Sequence, residues 1–327
     1  MGCSACVKMR FSTNRFKKCV DALTPDQREF VDNSTFGVLL NFSKFKVPVP
    51  LLEWVMSHID VASSMFKYKE KSFKITKSMV QRVLGIPSGN ERLNFDTVPD
   101  DIATEVSNVS LDYFDGQLKP SNGQPKPPIQ CAISLCLAEH NEEALIRSFL
   151  LVALATVLCP NTQNSTELKY LNFLMRPSEI QNYDWCNLIL EYILSEVKKF
   201  QSTISSSDHK KRAASYYYGS CLPLLVVSIK SYAIPYVFVL SILVLCFALS
   251  LFLQILYMDF LQLNDDFAPT HEISYNVPRF CHVSTNDFLH VANVDKNRSA
   301  CASFLCFGAL PVSYYISYCL IFSSRCS

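Results

Sequence analysis

DWCNLILEYILSEVKKF, Asp184 to Phe200, sets Trp185, Ile189, Ile193 and Val197 in one row at four-residue spacing, with Leu188 beside it. A stripe on that period is one face of an amphipathic helix, and it needs a core to cover it. Lys198 and Lys199 stand where cations favour a helix C-terminus. Trp185, Ile189 and Ile193 are therefore assigned to the structural core. The fold class follows from finding the other faces that pack on this one.

Upstream, Cys131 to Cys159 supplies a candidate. The run from Phe149 to Leu158 is apolar almost all round and predicts a central buried helix, begun near Glu142, Glu143 and Arg147 and stopped by Pro160. Residues 131–227 are read as one helical module. Before it, 90–130 is rich in Asp, Ser, Asn, Pro and Gly, with KPSNGQPKPP its clearest part, and predicts a long polar linker.

A second module occupies 23–89. Thr24, Pro25 and Gln27 spell a helix start, as N-cap, first helical residue and capping-box partner. PVPLLEWVMSHID predicts the next helix, with Leu51, Leu52, Val55, Met56 and Ile59 in a stripe and Trp54 anchoring its edge. MFKYKEKSFKIT alternates aromatic and basic residues, which predicts one small β-hairpin with an apolar and a basic face. TKSMVQRVLGIP closes the module as a helix stopped at Gly85. Lys67, Lys69, Lys71, Lys74, Lys77 and Arg82 outnumber Glu70 around the hairpin, so they are the candidates for nucleic-acid contact, weighed against a simple solvated strand face.

Residues 1–22 form a basic, Cys-containing N-terminal segment, read as a frayed terminus. Cys3 and Cys6 beside Lys8, Arg10, Arg15, Lys17 and Lys18 leave acylation open, although the myristoylation pattern is incomplete at Cys6. No apolar region follows the early cations, so no secretory signal is expected. Cys3 and Cys6 are the one C-x-x-C among fourteen cysteines, and no second pair accompanies them. Neither a zinc site nor a disulfide framework is expected. A net charge of +1 excludes a nucleic-acid binder that works through a global field.

Downstream the composition changes. YAIPYVFVLSILVLCFALSLFLQILYM, Tyr232 to Met258, holds no charge, and Ser231 to Met258 exceeds the roughly 20 residues that cross a bilayer. Residues 228–258 are therefore expected to form a membrane-spanning helix. Lys210, Lys211, Arg212 and Lys230 precede it and Asp259, Asp265 and Asp266 follow, which places the N-terminal domain in the cytosol. The hydrophobic tail, 299–327, contains Gly308 and Pro311 and makes a poorer span.

Taken in order, LLEWVMSHID, SFKITKSMVQRVLGIPSGN, SFLLVALATVLCP, YDWCNLILEYI, Gly219 and Cys221 before an apolar run, and ILYMDFL with a later PRF resemble the plant mobile domain family, also labelled aminotransferase-like. The resemblance covers about Leu23 to Arg298 and implies a mostly helical, transposon-related, partner-binding domain without a catalytic centre. In nuclear gene-silencing proteins such a domain serves as an interaction module. Relatives look continuous where this chain carries residues 228–254, so that stretch reads as an insert and 259–298 as the family-like C-terminal part. Insert and tail share residues encoded by thymine-rich codons, which leaves translated intron open beside a genuine membrane span.

The expected protein is thus mainly α: a helical domain with one small β-hairpin, then a membrane-span-like helix and a C-terminal remnant. No catalytic, cofactor or metal residues are assigned, no small-molecule substrate is expected, and a protein partner is. A pyridoxal-phosphate enzyme would need a large α/β fold and a glycine-rich phosphate turn, and the chain has eight glycines in all. A cysteine hydrolase built on Cys159 or Cys281 lacks a signalled histidine partner. The nucleus is the alternative location if the insert is absent.

Overall fold

The computed structural model describes residues 7–68, 71–97, 99–114, 126–205 and 216–225, and beyond them 278, 281, 284–286 and 289. The chain enters through a short strand, β1 (Val7–Met9), and a helix, α1 (Thr13–Ala22), with Phe16, Cys19 and Val20 in the core. The expectation of a frayed terminus is corrected from Val7 onward. Ser12 caps α1 by accepting from Arg15 N at 3.2 Å. Its own amide donates to Thr156 O at 2.9 Å, a carbonyl in the last turn before Pro160.

Helix α2 (Pro25–Asn33) starts with the reciprocal bonds that its sequence spells, Gln27 N to Thr24 Oγ1 at 3.2 Å and Thr24 N to Gln27 Oε1 at 3.0 Å. After a 3-10 turn over Gly37–Asn41 comes α3 (Val49–Ser57), then β2 (Ile59–Asp60), β3 (Met65–Tyr68) and β4 (Lys71–Lys74). These strands form a three-stranded antiparallel sheet in the order β2-β3-β4, one strand more than the expected hairpin. Phe66 pairs with Phe73, and their rings stack 5.2 Å apart. Helix α4 (Lys77–Leu84) ends on Gly85 at φ 70°, a left-handed cap that donates to Gln81 O at 2.7 Å.

The expected linker contains a helix, α5 (Asp100–Asp112). Ile102, Val106, Val109 and Tyr113 lie at four- and three-residue spacing and turn to the core, a stripe too narrow to stand out among so many polar neighbours. Two helices come next: α6 (Ile129–Ala138) and the expected buried helix α7 (Glu142–Ala153), which starts at Glu142 and continues as a wider π turn over Leu154–Leu158. Asn141 caps α7 by accepting from Ala144 N at 3.0 Å. A short α8 (Leu171–Leu174) precedes α9 (Trp185–Ser205), whose row Trp185, Ile189, Ile193 and Val197 is buried. Trp54 on α3 is buried as well, packed on His58, Phe66 and Tyr68. Strand β5 (Tyr216–Tyr218) pairs in parallel with β1.

The fold is mainly helical with small sheets, and the membrane part of the expectation is corrected. Among the described residues no helix is long and apolar enough to cross a membrane. The membrane localisation, and the cytosolic orientation derived from it, lose their footing. The stretch 228–258 and the tail 299–327 lie outside the described residues. Absence of charge permits a span but does not require one, and apolar sequence leading into the stretch serves a protein core: Cys221, Leu222, Leu224 and Leu225 are fully buried. Later residues return to the same body. Ser43 Oγ donates to Cys281 O, Lys46 N donates to Thr285 Oγ1 at 3.0 Å, and Pro278 fills the space beside Gly85.

Candidate functional site

Two polar joints sit where the resemblance residues converge. The first is at the head of α9. Asp184 Oδ1 accepts from Asn187 N at 3.1 Å, as an N-cap does, and from Ser88 Oγ at 3.2 Å, while Oδ2 meets Lys77 Nζ at 2.9 Å. The strap after α4 crosses here. Gly89 N donates to Tyr183 O at 3.1 Å and Asp184 N to Glu91 O at 2.7 Å. A Cβ on Gly89 would lie 1.9 Å from Asn182 O, so only glycine lets the two backbones approach. Trp185 locks the turn below by donating Nε1 to Ile180 O at 2.7 Å.

The second joint surrounds Gly219 to Cys221. Glu196 of α9, 6 % exposed, accepts from Gly219 N at 2.8 Å, and Lys199 Nζ stands 3.5 Å from the same carboxylate oxygen. Ser220 adopts φ 64° and donates its amide to Pro160 O at 2.7 Å, with its hydroxyl buried and unpartnered among the described residues. The loop after Pro160 is held from inside by Asn161, which donates to Ser165 O at 2.8 Å and to Glu167 Oε1 at 3.0 Å. From outside, Arg10 Nε donates to Thr162 O at 3.0 Å and Arg15 to Asn164 Oδ1 at 2.6 Å.

Burial keeps the thiols at these joints protonated. Burial pushes the Cys159 thiol up to about 12, against a smaller opposing effect of its hydrogen bond with Tyr170. Burial also raises Cys221 well above the ordinary thiol range and takes Cys186 to about 12. A reactive cysteine needs the opposite, a lowered pKa and access. Cys281 is half-buried and pushed up to about 11 by desolvation. Among the described residues no group of three His, Cys, Asp or Glu is placed to hold a metal. Cys3 and Cys6 lie outside the described residues.

Among the described residues, two of the candidate nucleic-acid contacts are taken up by ion pairs. Lys67 Nζ is 2.6 Å from Asp60 Oδ2, and Lys77 is taken by Asp184. That pairing, with the hydrogen bond from Ser63 N at 3.3 Å, holds the Asp60 carboxyl at about 2. Lys74 is exposed, and Arg82 bonds back to Ser78 O at 3.3 Å. Lys71 is the register partner of Tyr68, and Lys69 lies outside the described residues. An open depression of about 400 Å³ at the start of α2 is lined by Thr24, Asp26, Gln27, Glu29, Phe30 and His140. Its buried amide is already spent, since Gln27 Nε2 donates to Leu137 O at 3.1 Å and Glu139 O at 2.7 Å.

Sequence reading passed over Asp184 as a joint, and over Glu196 and Asn161 entirely. The signal for Asp184 was its place before the first apolar residue of α9; Glu196 meets a glycine 23 residues on, too distant in sequence to be read, and Asn161 bonds to the nearby Ser165 and Glu167 in a loop whose residues carry no periodic pattern.

Residues 9–226 match a family described as Domain of unknown function (DUF8566). No curated protein and no solved structure matches the chain. The match takes in both joints, the three-stranded sheet and all of α1 to α9, well over half of the 327 residues, and so the chain belongs to the DUF8566 family.

Proposed function

We propose that this chain is a non-enzymatic helical module whose work is to hold a partner protein, of the plant mobile domain type and derived from a mobile element. One observation carries the reading. The residues on which the resemblance rests, Gly85, Gly89, Trp185, Gly219 and Cys221, are each spent on a helix cap, a backbone crossing or the core. Catalytic residues present reactive atoms to a cavity. These instead fix the relative placement of helices, which is what a binding scaffold needs.

Residues 228–254 are foreign to that module in this reading. The family match stops at residue 226, and Cys281 and Thr285 rejoin the body at Ser43 and Lys46. Transcript sequencing checks the translated-intron origin: a dominant message retaining the segment in frame removes it.

Cross-linking and purification of the tagged full-length chain, followed by reconstitution from two purified proteins, tests the function. A saturable complex of micromolar affinity or better is the expected result. Failure of every captured protein to reconstitute overturns the proposal. So does turnover of an ester, amide or phosphate substrate that disappears in Cys159→Ala or Cys281→Ala.

A further inference from the structure

We infer that the outer face of the β1–β5 ribbon is a recognition surface for an acidic protein segment; this rests on the partner-binding reading and assigns it a surface. Parallel pairing sets Lys8 opposite Tyr217, and period-two alternation brings Arg10 to the same side. Met9 and Tyr218, the next pair, face inward, with Tyr218 1 % exposed. Outside, Tyr217 remains 38 % exposed, one of four large hydrophobic side chains so exposed among the described residues.

Cations surround that ring. The Arg10 guanidinium carbon lies 3.8 Å from its centroid and Lys8 Nζ 5.5 Å. Lys199 Nζ reaches the Tyr217 carbonyl at 3.5 Å. Among the described residues no carboxylate pairs with Lys8 or Arg10, whereas Lys17, Lys44, Lys67, Lys77, Lys126 and Arg176 all have acidic neighbours. Among the described residues the one carboxylate near Lys199 belongs to Glu196, which is buried and already accepts from Gly219 N.

Arg10 is the organising residue. Stacking on Tyr217 and the bond from Nε to Thr162 O fix the guanidinium plane, leaving its terminal N–H groups as a preset fork. A carboxylate fits that fork with two hydrogen bonds, and little side-chain entropy remains to be lost on binding. Lys8 and Lys199 flank it as point charges for neighbouring acids. A nucleic acid is the poorer fit. Its affinity grows with the number of phosphates neutralised, and this is one compact cluster on a chain of net charge +1.

Fluorescence anisotropy of a labelled oligo-glutamate peptide against the full-length protein tests the inference, with oligo-thymidylate as the competing polyanion. The expected result is salt-sensitive binding of the peptide, weakened about tenfold by Lys8→Glu and further by Lys8→Glu with Arg10→Glu. Arg10→Lys keeps the charge and loses the fork, so it falls between wild type and Arg10→Glu. Lys8 is exposed, so its single variant stays folded, as a thermal melt verifies. Unchanged affinity in the double variant overturns the inference, as does equal weakening by the remote Lys74→Glu or tighter binding of oligo-thymidylate. A captured partner that binds while oligo-glutamate does not removes this surface and leaves the partner-binding reading standing.

Discussion

Gly219 and Ser220 make opposite demands on neighbouring positions. A Cβ on Gly219 would lie 2.2 Å from Pro160 O, a backbone atom that cannot swing aside. Gly219→Ala is therefore expected to destabilise by about 2 kcal/mol or more through overpacking. Ser220 holds φ 64° without being glycine and buries a hydroxyl that has no partner among the described residues. Ser220→Gly removes both costs and is expected to stabilise by about 1 kcal/mol, less the added freedom of the unfolded chain. Urea denaturation of the two variants decides the matter: the same sign of change in both would show that the crossing does not have this geometry.

Helices in this protein are joined by side chains that satisfy the carbonyls of another element. Gln201 on α9 donates to Met56 O at 2.8 Å and Ile59 O at 2.7 Å, where α3 ends and β2 begins. Gln27 on α2 does the same for the end of α6. Such carbonyls have no helical partner, and leaving them dry and unpaired is costly. Gln201→Leu is expected to cost about 1–3 kcal/mol, while Gln201→Glu loses the same donor and sets a carboxylate against two carbonyls, so it should cost at least as much. Amide exchange supplies the readout. Faster exchange confined to the α3–β2 junction and the last turns of α9 is expected, and exchange unchanged there would mean that the glutamine is only a surface contact. At this level much was readable in advance. The α2 capping box and the α9 stripe are local in sequence, whereas the α5 stripe was lost among acids and serines and emerged only when Tyr113 was seen buried against Ser148.

The molecule as a whole is predicted to be sensitive to alkali. Cys159 and Cys186 are held to about 12 and Tyr113 to about 12, all chiefly by burial, against ordinary values of 9.0 for the thiols and 10.0 for the phenol. A group whose folded value is raised keeps its proton after the unfolded chain has released it, so stability is fully present below about pH 9 and falls as pH rises towards 12. Each such group contributes a slope of up to about 1.4 kcal/mol per pH unit in that window. Thermal melts from neutral to alkaline pH test this, and a melting temperature flat through that range contradicts it. The same body should tolerate removal of residues 228–254, because the core is closed by Leu222, Leu224 and Leu225 before them and the docking of Cys281 and Thr285 lies after them. A deletion protein that melts cooperatively within a few degrees of the full chain is expected; loss of a cooperative transition would tie that segment to the core.

The helices α2, α3, α4, α7 and α9, the two strands of the hairpin, the glycine cap at Gly85 and the burial of Trp54, Trp185, Ile189 and Ile193 were legible from residues alone, because each depends on neighbours within a turn or two of the chain; α1 and α5 were not. The parallel pairing of β1 with β5, the burial of Glu196, the neutralisation of Lys67 and Lys77, and the use of the apolar lead-in at 221–225 as core were not. Those depend on which distant segments meet. Local spacing encodes which face of an element is apolar, but the partner of a charge or of a strand edge exists only once the chain has closed on itself.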